Sequence, residues 1–158
     1  MRTKLQTKRQ EGFTIIEVLI VLAIAGLIIL IVFLAVPALQ RNSRNTQSRS
    51  EASNVLAALS EFVSNNNGKL PQAGTSSTAN SEAAQVFSNA KLSNITTVTV
   101  EAQSGTTTPT GTVMIIRTGA KCTAPTGSSV TPAGGARQVA LLYQIENSGG
   151  PIVACQES

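Results

Sequence analysis

From Val18 to Leu39 the chain carries no charged side chain. The run is about 22 residues, or about 33 Å at the α-helical rise, against a hydrocarbon core of roughly 30 Å. It is long enough to cross a membrane and long for the buried helix of a small core. Immediately before it stands Glu17, the one carboxylate inside this hydrophobic beginning. An acid at mid-helix costs roughly 2.5–3.5 kcal/mol on insertion scales, and less near an interface. Ionisable groups in such places are usually functional, so Glu17 calls for a partner. The plainer alternative is an interfacial acid reaching the headgroups.

The residues ahead of the run are polar, with Arg2, Lys4, Lys8 and Arg9 against Glu11. This excess of basic residues predicts a cytoplasmic N-terminus, diluted by Arg41, Arg44 and Arg49 on the far side. An ordinary secretory signal places its apolar region before the cleavage site and is discarded. Here the candidate site, Gly12, precedes the run. A cut after Gly12 would remove the basic leader and keep the helix. It would also lower the formal charge from +4 to +1, since four of the twelve basic and one of the eight acidic side chains lie in the leader. The basic character is therefore a poor argument for nucleic-acid binding by the remaining chain.

Gly12-Phe13-Thr14-Ile15-Ile16-Glu17 followed by an apolar helix closely resembles the N-terminus of the type IV pilins. The resemblance covers Gln10 to Leu39. It implies that a membrane prepilin peptidase cuts between Gly12 and Phe13 and that the new amine of Phe13 is methylated. It also implies that Glu17 pairs with such an amine, its own or a neighbouring subunit's, and so sets register during assembly. One helical turn separates Phe13 from Glu17, and the positive end of the helix dipole favours a carboxylate there. Gly26 matches the family's mid-helix glycine. Pro37 resembles its helix-breaking proline, three residues later than the commonest spacing. Proline removes a backbone donor, and glycine weakens helix by about 1 kcal/mol relative to alanine. Gly26 and Pro37 thus mark a segment, Leu27–Val36, expected to loosen in a filament.

Beyond the run, Ala52, Val55, Leu56, Leu59, Phe62 and Val63 follow the spacing of one helix face. Asn65-Asn66-Asn67-Gly68 is a stop signal, with Pro71 just beyond. These features predict an α+β fold. A long N-terminal helix, apolar over 13–39 and amphipathic over 40–66, packs on a small antiparallel sheet of three or four strands. Residues 67–94 read as a connecting loop with a short helix at Ser81–Ala90. Residues 95–158 carry strand signals at Ile95–Ala102, Thr112–Thr118, Arg137–Asn147 and Ile152–Cys155. In the third, Val139, Leu141, Tyr143 and Ile145 share a face. Gln103–Gly111 and Thr123–Gly135 supply turns.

Cys122 and Cys155 are the only cysteines. A small exported domain commonly needs a staple, which makes them a candidate disulfide; two free thiols are the alternative. Their spacing excludes a Cys-x-x-Cys redox pair, and their number a zinc site. In the pilins a C-terminal disulfide encloses a variable surface, which by analogy makes Thr123–Ala154 the partner-facing part. The chain has no His, and all eight acids are Glu. Ser-His-Asp and Cys-His catalysis are therefore absent, and neither an enzyme nor a metal or cofactor site is expected. No Gly-rich phosphate loop follows a strand. Asn94-Ile95-Thr96 matches a glycosylation sequon, a triplet frequent by chance.

The resemblance implies a prepilin anchored in the inner (cytoplasmic) membrane that polymerises with itself into an extracellular type IV pilus. Adhesion, twitching motility or DNA uptake would follow. Its partners would be the prepilin peptidase, the assembly platform, cytoplasmic ATPases and a host-cell or surface receptor. A pseudopilin of a competence or type II secretion machine is the alternative. The calcium site of typical secretion pseudopilins uses aspartates, which this chain lacks.

Overall fold

The computed structural model describes residues 12–77, 81–123, 130–131, 135 and 137–158. The leader residues 1–11 lie outside the described residues, as does most of the turn read at Thr123–Gly135. The chain divides into two units, Met1–Leu39 and Gln40–Ser158. Helix α1, Ile15–Asn65, contributes to both.

In the first unit every Val, Ile, Leu and Phe from 13 to 39 is exposed, between 38% and 89%. Such a surface is apolar all round and belongs in lipid or in a helix bundle. The helix contains both Gly26 and Pro37 and is continuous through Leu27–Val36. The expected loosening is thus not a property of this chain alone.

In the second unit α1 presents one stripe to the core. Ala52, Val55, Leu56, Ala58, Leu59 and Phe62 are buried, with Val63 packed against them. The helix ends as Asn-Asn-Asn-Gly requires. Asn67 takes a positive φ of 56°, and the Gly68 N–H donates to the Val63 carbonyl at 2.8 Å, the six-to-one bond of a Schellman cap. A short strand follows, β1 (Thr75–Ser76), then helix α2 (Glu82–Ala90). Ser81 caps α2 by accepting from the Ala84 N–H. Ala83, Val86 and Ala90 face inward.

The strands after α2 are β2 (Thr97–Glu101), β3 (Val113–Thr118), β4 (Lys121–Cys122), β5 (Val130–Thr131), β6 (Val139–Asn147) and β7 (Gly150–Glu157). Four of these join β1 in one sheet of order β1-β2-β3-β6-β7, while β4 and β5 pair separately. This corrects the expected sheet in two ways. It has five strands rather than three or four, and β2 and β3 run parallel. The Gly- and Pro-bearing segment Gln103–Gly111 looks like a hairpin turn. It instead carries the chain back along the sheet, the kind of crossover that parallel neighbours need. The strand at Ile152–Cys155 is also longer than expected and sits on the edge of the sheet, with Pro151 where a missing donor does least harm.

Alternation along the strands assigns the two faces. Val98, Val100, Met114, Ile116, Val139, Leu141, Tyr143 and Ala154 join the α1 stripe in one hydrophobic core. Ile115, Ala140 and Leu142 are equally buried on the other face. The crossover is tied down on that second face. Glu101 and Arg117 are register partners, their side chains are nearly buried, and they stand 3.5 Å apart. Arg117 Nη2 also donates to the Thr107 carbonyl at 2.8 Å. Gly105 leaves room for this arrangement: a Cβ there would fall 2.8 Å from the Glu101 Cβ and closer still to its carboxylate. Gly105→Ala is therefore expected to push Glu101 off Arg117 and to cost about 1–3 kcal/mol. Denaturant titration checks this; an unchanged midpoint would mean the loop yields freely.

Candidate functional site at the N-terminal junction

Gly12, Phe13 and Thr14 are non-helical and exposed, and α1 starts at Ile15. A Cβ on Gly12 would meet nothing within 4 Å. The chain's own packing therefore places no demand for glycine there. Phe13 is 89% exposed.

Thr14 and Glu17 close the helix start reciprocally. The Thr14 N–H donates to Glu17 Oε2 at 2.9 Å, the Thr14 hydroxyl donates to the same oxygen at 2.7 Å, and the Glu17 N–H donates to Thr14 Oγ1 at 3.4 Å. This is a capping box, in which the cap residue and the third helical residue satisfy each other's free N–H groups. A helix entering lipid gains more from this than one in water, since no solvent would serve those donors. Sequence reasoning treated Glu17 as an acid waiting for an amine and missed Thr14. The signal was the Thr-x-x-Glu spacing itself. The structure thus brings Gly12, Phe13 and Glu17 to one exposed helix start and gives Glu17 a partner within its own chain. Of the three bonds none uses Glu17 Oε1.

α1 holds an 18-residue window with a mean hydropathy of 3.4, and it is the one helix among the described residues long and apolar enough to cross a membrane. Gly26 lies within the apolar part of that helix, and a Cβ there would also meet nothing within 4 Å.

The remaining predicted site residues lie in the second unit. Cys122 and Cys155 form a disulfide with a Cα–Cα distance of 5.8 Å. It ties β4 to the edge strand β7, and the Cys122 N–H donates to Glu157 Oε1 at 2.7 Å beside it. The interval Thr123–Ala154 enclosed by the disulfide is not all surface. It includes β6, whose Val139, Leu141 and Tyr143 belong to the core. The partner-facing reading therefore loses the buried start of β6, Val139 and Leu141.

Two anchors in this unit went unseen in the sequence. Glu51 is 5% exposed and accepts the backbone N–H groups of Ser93, Asn94 and Ile95 at 3.3, 3.0 and 3.2 Å. Gln47 Nε2 donates to it at 3.2 Å. It thereby fixes the entry to β2 on α1. Arg44 grips Glu146 with two bonds, 2.9 and 2.7 Å, and holds that carboxyl below its ordinary pKa. Beside it, Asn45 exchanges two 2.7 Å bonds with the backbone N–H and carbonyl of Glu146. The amide side chain acts there as a short stretch of strand against the end of β6.

Residues 7–33 match the family model described as the prokaryotic N-terminal methylation motif. No curated protein and no solved structure matches the chain. The matched segment contains Gly12, Phe13, Thr14, Glu17 and Gly26 and runs into the exposed apolar part of α1. Such a motif is typical of type IV pilins and prepilins, and the long apolar helix and the α+β unit behind it fit that resemblance.

Proposed function

We propose that this chain is the structural subunit of a type IV pilus, which matures by cleavage after Gly12 and N-methylation of Phe13 and then polymerises outside the cell. The observation that carries this reading is the junction: an exposed Gly12-Phe13 bond one residue ahead of a capped helix whose cap acid is Glu17. The bareness of Gly12 and Gly26 supports it. At neither glycine would an added Cβ meet a neighbour among the described residues. Glycine there suits close approach by another molecule, a peptidase at Gly12 and a neighbouring helix at Gly26. Cleavage makes a cationic amine one residue before Thr14. That amine, or a neighbour's, is a stronger partner for the Glu17 carboxylate than a neutral hydroxyl. The capping box then serves as a resting state in which Glu17 is already satisfied before assembly. Adhesion, twitching or DNA uptake would be performed by the assembled filament, driven from the cytoplasm by ATPases on an assembly platform.

Glu17→Ala tests the reading. The variant is expected to enter the membrane at parental levels or better, because a buried acid is removed. Its yield of sheared surface filaments should fall at least about ten-fold, the equivalent of losing one charge pair of about 1.4 kcal/mol or more. Normal filament yield would remove Glu17 from assembly.

A further inference from the structure

Between α1 and the β6–β7 hairpin the second unit holds a groove of about 390 Å³, lined by Arg49, Ser53, Tyr143, Ile145, Ile152 and Gln156 among others. Ile145 and Ile152 are register partners and give it an apolar wall. The other four bring polar groups together. Gln156 Nε2 donates to Ser53 Oγ at 3.3 Å. Tyr143 is buried, which raises its phenol above the ordinary value, with the Arg49 charge pulling the other way. Arg49 is exposed and stands in neither ion pair found among the described residues. A cation set in a concave, partly apolar wall attracts an anion more strongly than one on an open surface.

Among the described residues one acid is left to offer. Glu17 is held by Thr14, Glu51 by the loop before β2, and Glu82 by the Gln72 N–H. Glu101 pairs with Arg117, Glu146 with Arg44, and Glu157 with the Cys122 N–H. Glu61 is exposed on α1, on the side away from the core stripe, and has no hydrogen bond or ion pair among the described residues. It cannot reach the groove of its own chain. Twelve residues separate it from Arg49, about 18 Å along the helix, and the two side chains leave α1 in different directions.

We propose that the Arg49 groove receives Glu61 of a neighbouring copy of this chain. The inference rests on the reading of the protein as a polymer subunit and names one contact within that polymer. The two patches differ, so the contact is heterologous. A heterologous contact that does not close into a ring builds an open filament, and each added copy presents a fresh groove and a fresh Glu61. In parallel copies the pair also sets an axial stagger of about 18 Å, adjusted by the reach of the two side chains.

Charge reversal in the full-length chain tests it, with filaments sheared from cells and weighed against chain held in the membrane. Arg49→Glu and Glu61→Arg are each expected to lower filament yield about ten-fold, and the double variant to restore it. Arg49→Lys, which keeps the charge, should stay near the parental yield. Formation of the Cys122–Cys155 disulfide in every variant reports that the second unit has folded. Parental yields from both single variants would overturn the contact and leave the polymer intact, as would a double variant no better than the singles. No filaments from the parental chain would overturn both the contact and the polymer reading.

Discussion

Replacing Glu51 by alanine is expected to destabilise the unit Gln40–Ser158 by about 3–5 kcal/mol, the range seen when one side of a buried charged contact is removed. The carboxylate is the shared acceptor for three successive backbone N–H groups, those of Ser93, Asn94 and Ile95. Hydrogen bonds to a charged group contribute about 1.5–3 kcal/mol each, and an orphaned buried N–H costs about 1–3 kcal/mol. Ile95 is 5% exposed, so water cannot readily replace the acid at its N–H. Ser93 and Asn94 are exposed and recover part of their loss from solvent. Glu51→Gln keeps the shape and one acceptor oxygen, and is expected to lose roughly half as much. Urea titration reads both variants. A loss below about 1 kcal/mol in Glu51→Ala would show that the loop before β2 is held by its apolar neighbours instead.

Removing the disulfide should have an effect of similar size. Cys122 and Cys155 are 33 residues apart in sequence, and closing such a loop is worth about 4 kcal/mol in the chain-entropy model. The bond joins the edge strand β7 to the short β4–β5 ribbon, which lies outside the main sheet. Cys122→Ser with Cys155→Ser is therefore expected to lower the unfolding free energy by about 3–4 kcal/mol, and reductant to do the same to the parental chain. Beside the staple the Cys122 N–H donates to Glu157, a bond between exposed groups. Equal denaturation midpoints for oxidised and reduced protein would show that β4 gains nothing from the staple.

The legible parts of this chain were those where one physical preference acts alone. The uncharged run to Leu39 and the stripe from Ala52 to Phe62 each follow from burial or lipid exposure of a single helix. Asn67 and Gly68 end that helix because a left-handed residue is needed there. The core face of β6 was readable from alternation. What the sequence hid were features that depend on two distant segments. The parallel pairing of β2 with β3 rests on a crossover that looks locally like a turn, and its fixing by Glu101, Gly105 and Arg117 has no local signature. Glu51 was hidden for the same reason, although an acid on an apolar stripe four residues before Val55 was a visible anomaly. At the junction, by contrast, the cap role of Thr14 does carry a local signature. The Thr-x-x-Glu spacing was sufficient to find it.

The central claim is that the peptide bond between Gly12 and Phe13 is cut and that the chain beginning at Phe13 is what polymerises. Mass spectrometry of filaments sheared from cells tests it most directly. The expected result is abundant chain whose first residue is Phe13, carrying one N-methyl group, with the Met1–Gly12 leader missing. Filaments containing chain that still begins at Met1 would contradict it.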